Sequence, residues 1–185
     1  MKHKTNVVRV VFLGIAVGML LAVSSCDKSE TTTDSLVSQN KLIESYITTR
    51  KLTDSVQKSG DLWYYRFKTT GTSTALIQSG DKVTLSYVLS VVSSSTLLKA
   101  YATNIKTVAD ANGIFNTFTK YEPITVEVGG SGIFKGFDDG LRLLKEGDSA
   151  LLLFPSTLGY GGEAIGAVPA NSALAIRVYV LSVTK

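Results

Sequence analysis

Residues 82–92, KVTLSYVLSVV, alternate with a period of two. Val83, Leu85, Tyr87, Leu89 and Val91 fall on one side, and Thr84, Ser86 and Ser90 on the other. That is the pattern of a strand with one buried face. Four further stretches predict strands. LWYYRFK at 62–68 is rich in aromatic residues that suit a pleated surface. PITVEVG at 123–129 alternates again, and EGDSALLLFP at 146–155 and SALAIRVYVLSV at 172–183 are apolar runs of strand length. TLLKAYA at 96–102 reads as the returning arm of a hairpin turned around Ser93, Ser94 and Ser95.

In GIFKGFDDGL, residues 132–141, the period changes. Phe134, Phe137, Leu141 and Leu144 fall on one helical face, while Asp138, Asp139, Arg142 and Lys145 take the other. This predicts a short amphipathic helix. Gly132, Gly136 and Gly140 lie in or beside it, and a glycine inside a helix costs roughly 1 kcal/mol against alanine. Such a cost points to a close approach to the backbone. A second helix is expected over residues 35–50, where Leu36, Ile43 and Ile47 share a face with Leu42 and Tyr46 beside it, and its expected role is packing on its own domain. TNIKTVADANG at 103–113 has an N-cap candidate and a closing glycine, so it predicts a short helix or Ω-like insertion. STLGYGGEAIGAVPAN at 156–171 is a long glycine-rich loop. The simplest architecture is α+β: a curved antiparallel half-barrel sheet wrapped on one short helix and preceded by an N-terminal helix.

Composition changes this picture at the N-terminus. Residues 1–25 carry Lys2, Lys4 and Arg9, no acid, and the apolar run VVFLGIAVGMLLAV at 10–23, which predicts a secretory signal. The run is shorter than the roughly 20 residues of a spanning helix. VSSC follows and resembles a lipobox, so the one cysteine of the chain, Cys26, is the expected lipidation site. The polar DKSETTTDS then suits a flexible tether over 26–34. The expected location is the bacterial cell envelope, lipid-anchored and periplasm-facing. Without residues 1–25 the formal charge falls from +4 to +1, which gives no electrostatic case for nucleic acid.

The one histidine, His3, leaves with the signal. Ser-His-Asp, Cys-His and Cys/His zinc chemistry are then unavailable. GGSGIFKG at 129–136 is spaced wrongly for a dinucleotide fingerprint and has no following Lys-Ser or Lys-Thr pair for a phosphate loop. No cofactor and no metal are expected. What remains is chemistry done by shape, dipoles and hydroxyls.

GDKVTLSY, then VGGSGIFKGFDDGLRLLKEGDSALLLFPSTLGYG, then VPANSALAIRVYVLSV follow one another in order. This succession resembles the FKBP-type peptidyl-prolyl isomerases over about residues 60–185, and YATNIKTVADANG at 101–113 is similar to an insertion of lipoprotein members. The resemblance implies an isomerase domain at 60–185 behind an N-terminal helical segment at 35–59. It implies a shallow apolar pocket between sheet and helix, with Tyr87, Phe134, Phe137 and Tyr160 as its catalytic set. Phe137 would form the floor, the Phe134 N–H would meet a bound carbonyl, and Tyr160 would place its hydroxyl over the pocket. Tyr101, Ala102, Ile124, Ile133 and Ile176 would line the substrate side.

The implied partners are proline-containing unfolded or partly folded polypeptides, and the membrane through the lipid anchor. Several positions depart from the family pattern. Phe137 stands where Trp is usual, and Ile124 and Ile176 where aromatics are usual. Either Ala102 (in YATN) or Asn116 (in IFNT) stands where the family has an acid at the pocket edge. These departures imply weakened turnover. A non-catalytic FKBP-fold binding or chaperone module is the alternative.

Overall fold

The computed structural model describes residues 28–185, with side chains from residue 35 onward. The signal, the lipidation site Cys26 and the first two tether residues lie outside the described residues. No helix among those described is long and apolar enough to cross a membrane.

The first helix, α1, spans Lys28–Thr49. It begins seven residues before the expected start, so residues 28–34 are helical rather than tether. The sequence contains no glycine or proline between 27 and 59, and nothing else in it stops the helix earlier. At its other end Lys51 takes a left-handed φ of 55°, and the Lys51 and Leu52 N–H groups donate to the carbonyls of Thr48 and Ile47. That is a Schellman closure with lysine in the usual glycine position.

Seven strands follow among the described residues: β1 (Gln57–Ser59), β2 (Leu62–Thr69), β3 (Lys82–Val92), β4 (Leu98–Thr103), β5 (Ile124–Glu127), β6 (Asp148–Phe154) and β7 (Leu174–Thr184). All the pairings are antiparallel, in the order β1-β2-β6-β7-β3-β4, and β5 pairs with β3. Two short helices, α2 (Lys106–Ala111) and α3 (Lys135–Leu141), complete the chain with a 3₁₀ turn at Ser156–Leu158. β1 is paired with β2, so the division expected at 59/60 runs through a hairpin and separates nothing.

Both faces of the sheet are covered. On the front, Val83, Leu85, Leu89, Leu152, Phe154, Ile176 and Val178 pack with Phe137, Leu141 and Leu144 from α3 and the turn after it. On the back, Ile43, Tyr46 and Ile47 of α1 pack on Trp63, Val92, Leu151, Leu153 and Ala175. The expected intradomain role of the N-terminal helix is therefore what the packing shows. It also explains why β6 is buried along its whole length. A strand covered on both faces loses the polar half of its alternation.

Two of the glycines in and around α3 are explained by proximity. A Cβ on Gly136 would lie 2.7 Å from the Phe154 ring and 2.9 Å from the Leu158 carbonyl oxygen. One on Gly140 would overlap the Leu152 side chain. The helix is thereby seated directly on β6 and the 3₁₀ turn, and the helix-propensity loss accompanies that contact.

Candidate functional site

Between the front of the sheet and the N-terminal end of α3 lies a cleft of about 490 Å³. Eight of the nine predicted pocket residues line it: Tyr87, Ala102, Ile124, Ile133, Phe134, Phe137, Tyr160 and Ile176. Phe137 is its most buried aromatic, at 5% exposure. Gly132 lies at the cleft with open space where a Cβ would sit.

The sheet side of the cleft is built by register. Leu89 of β3 pairs with Ala102 of β4 and with Ile176 of β7, so three neighbouring strands place one lining residue each in a row. Tyr87 lies two residues before Leu89 and therefore on the same face. Leu89 itself, Val126, Ser131 and Gly132 also line the cleft and lie outside the predicted set of site residues. The signal for the first two was present, because Leu89 alternates with Tyr87 and Val126 with Ile124.

Tyr101 is the exception among the predicted residues. β4 shifts register between Leu89 and Ser90, whose partners are Ala102 and Ala100, leaving Tyr101 unpaired. It packs half-buried against the front core that the cleft residues share, with the Lys99 ammonium 5.2 Å from its ring centroid, outside the immediate wall of the cleft. The bulge brings Tyr101 to the same front core as its neighbour Ala102, which no period-two reading anticipates. The two possible matches to the family's acidic position lie far apart in setting. Ala102 is in the cleft wall, whereas Asn116 is exposed in the loop between α2 and β5.

Tyr87 is held by a side chain from that insertion. The β3 edge pairs with β5 up to Leu85 and with β4 from Val88 onward, leaving a gap between them. Asn104 fills the gap. Its Oδ1 accepts from the Tyr87 N–H at 2.8 Å, and its Nδ2 donates to the Leu85 and Glu122 carbonyls at 3.1 and 3.0 Å. The Thr103 hydroxyl donates to the Tyr87 carbonyl at 2.6 Å. One buried amide thus does the work of an absent strand segment.

Tyr160 is held by aromatic contact. Its ring meets that of Phe134 edge-on, at 5.1 Å between centroids and 67° between planes, and Phe134 also lies 6.0 Å from Phe137 and 5.8 Å from Phe154. Such edge-to-face pairs contribute about 0.5–1.5 kcal/mol beyond area burial. Burial raises the pKa of both Tyr87 and Tyr160 above the ordinary 10.0, and the neighbouring Tyr87 raises that of Tyr160 further. Both hydroxyls therefore stay protonated at neutral pH, and neither meets a protein acceptor among the described residues. The N–H of Phe134, the residue that precedes α3 in extended conformation, likewise meets no backbone acceptor among the described residues.

The cleft therefore offers an apolar enclosure with two free phenol hydroxyls and one free amide. No charged side chain lines it. No group of three or more His, Cys, Asp or Glu residues able to hold a metal occurs among the described residues. The volume falls in the range of about 300–1,000 Å³ typical of small-ligand sites.

A family model described as FKBP-type peptidyl-prolyl cis-trans isomerase matches residues 73–181. The chain is 31% identical over 77 residues to the FKBP-type peptidyl-prolyl cis-trans isomerase FkpA of Escherichia coli (strain K12), covering 42% of this chain and 28% of that protein. It is 32% identical over 75 residues to the FK506-binding protein of Neisseria meningitidis serogroup C, covering 40% of this chain and 69% of that one. The chain spans 18% and 53% of the length of two fungal FK506-binding proteins that it also matches. The crystal structure of FkpA from Escherichia coli shares its fold, with a TM-score of 0.55 at 20% identity over 85% of this chain and 66% of that one.

Proposed function

The chain belongs to the FKBP-type peptidyl-prolyl cis-trans isomerases, and on that premise we propose that its cleft catalyses rotation about X–Pro bonds in unfolded or partly folded polypeptides. The observation that carries this reading is the convergence of Tyr87, Phe134, Phe137 and Tyr160 on one apolar cleft with unengaged donors. The barrier to rotation, about 18–20 kcal/mol, is set by amide resonance. At the top of the barrier the bond has lost conjugation, and the charge-separated planar form has gone. An apolar enclosure disfavours that planar form. The Tyr160 hydroxyl and the Phe134 N–H hold a carbonyl while the proline ring is enclosed against Phe137. Stabilising the twisted amide more than the planar one is the entire catalytic task. No proton need be transferred, so the reaction has no use for a histidine.

Turnover is weaker than the fold alone would permit, because Ala102 stands at the cleft wall where the family carries an acid. The same residue favours a second reading, a binding or chaperone module that holds proline-containing segments without turning them over. On the sequence of residues 1–26, the protein works at the bacterial cell envelope, anchored through lipidated Cys26 and facing the periplasm. Its clients are then envelope proteins during folding.

Protease-free proline isomerisation with the full chain tests the reading. Saturable acceleration of cis-trans exchange in an X–Pro peptide supports catalysis. Saturable binding without acceleration supports the binding module. Neither acceleration nor binding overturns both.

A further inference from the structure

The buried face of α1 carries one polar residue that is almost fully enclosed. Gln39 lies between Leu36 and Ile43 along the helix and is only 7% exposed. Its amide is committed at every end. Oε1 accepts from the Ser156 N–H at 2.6 Å, and Nε2 donates to the Ser156 and Ser35 hydroxyls at 3.1 and 3.0 Å. A flipped amide would set donor against donor at the Ser156 N–H, so its orientation is fixed by the bonds themselves.

Ser156 opens the 3₁₀ turn that leads to Tyr160. The preceding Pro155 has no side chain able to cap the turn, and Gln39 supplies the missing acceptor from 117 positions away. Beyond it the Ser156 carbonyl accepts from both the Gly159 and the Gly161 N–H, each at 2.8 Å. These two residues bracket Tyr160. Glycines restrict the chain least, and Gly161 sits at a left-handed φ of 62°. The backbone on either side of Tyr160 is therefore tied to one carbonyl, and that carbonyl's residue is tied to α1.

We infer that Gln39 is a positioning residue for the cleft, setting Tyr160 through Ser156, so that α1 is part of the active-site framework. α1 lies outside residues 73–181, where the family model matches. The inference rests on the isomerase reading above for its kinetic consequence, but the geometry it asserts can be read without turnover.

The test compares Gln39→Met with the parent in the full chain. Methionine keeps the length and the packing on the sheet and removes all three hydrogen bonds. The expected result is a roughly three- to tenfold fall in kcat with KM for an X–Pro peptide changed less than about twofold, because the apolar lining stays in place. Ser156→Ala keeps the N–H bond and costs less than Gln39→Met. Added to Tyr160→Phe, Gln39→Met brings little further loss, since both act through one hydroxyl. Amide exchange at Gly159 and Gly161 rises in Gln39→Met.

A parent rate in Gln39→Met, or a full additional loss on top of Tyr160→Phe, overturns the inference. If the parent itself is inactive, the isomerase reading fails separately, and exchange at Gly159 and Gly161 decides: unchanged protection overturns the positioning role. Gln39→Asn, which keeps the amide and shortens its reach, replaces Gln39→Met if that variant does not fold.

Discussion

Replacing Ala102 by Asp is expected to make the protein a faster isomerase. Ala102 pairs with Leu89, and Tyr87 is two residues before Leu89 on the same face of β3. A diagonal pair of this kind is about 7–8 Å apart, within reach of long and aromatic side chains. The Tyr87 hydroxyl, half-buried at the cleft, has no protein partner to give up among the described residues. A carboxylate acceptor there would gain a charge-assisted bond of about 1.5–3 kcal/mol. Part of that gain offsets the cost of placing a charge in a cleft wall that has none. Only the share expressed more strongly in the twisted amide appears as rate. If that share is about 0.5–1 kcal/mol, the rate rises roughly two- to fivefold.

The assay is protease-free isomerisation of an X–Pro peptide by the Ala102→Asp variant and the parent, with melting temperatures measured alongside. Asn116→Asp is the control, because Asn116 is exposed and away from the cleft. No gain in Ala102→Asp with the fold intact would refute the reasoning, and so would a gain in Asn116→Asp alone. The first result would also favour the binding-module reading, since the cleft would then differ from a good catalyst by more than one residue.

Phe137→Ala should lower stability by about 3–5 kcal/mol, read from denaturant midpoints, because the ring is only 5% exposed in the front core; a loss below about 1 kcal/mol would contradict its placement. Tyr87 and Tyr160 have folded pKa values raised above the ordinary 10.0 by burial. They stay protonated while unfolded tyrosines ionise, so their contribution to stability is complete below about pH 10 and is lost as pH rises through the raised values. The isomerisation rate should accordingly be level from about pH 6 to 9, and ultraviolet titration should find two late tyrosines; a decline near pH 8 would point to another group. Cys26→Ser should abolish lipid attachment and release the protein from membranes, measured by metabolic lipid labelling and fractionation; unchanged labelling would remove the anchor from the account.

How much of this was legible in the sequence varies by element for physical reasons. The bounds of β3 are read to the residue, because its sequence alternates clearly from Val83 to Val91, although Leu89–Val92 are buried on both faces. Phe134, Phe137 and Tyr160 are implied by the resemblance to the FKBP family rather than by periodicity, and all three line the cleft. The setting of Tyr101 was not legible, because a bulge is a property of two paired strands and one strand's pattern does not contain it. The start of α1 was missed because polar residues continue a helix as readily as they form a tether. Gln39 was visible as a polar residue on an apolar stripe, yet its partner Ser156 lies 117 positions away, and periodicity says nothing over that distance. Asn104 was hidden for the same reason, since its role depends on a gap left between two strands that share one edge of β3.

The central claim is that the cleft works through a hydroxyl held over an apolar floor, and Tyr160→Phe tests it most directly. The substitution removes one oxygen that no group among the described residues engages and leaves the ring against Phe134. Exchange rates of an X–Pro peptide should be measured by NMR with parent and variant, together with their melting temperatures. The account predicts a slower variant with a melting temperature close to the parent's. An active parent whose rate is unchanged in Tyr160→Phe would contradict it.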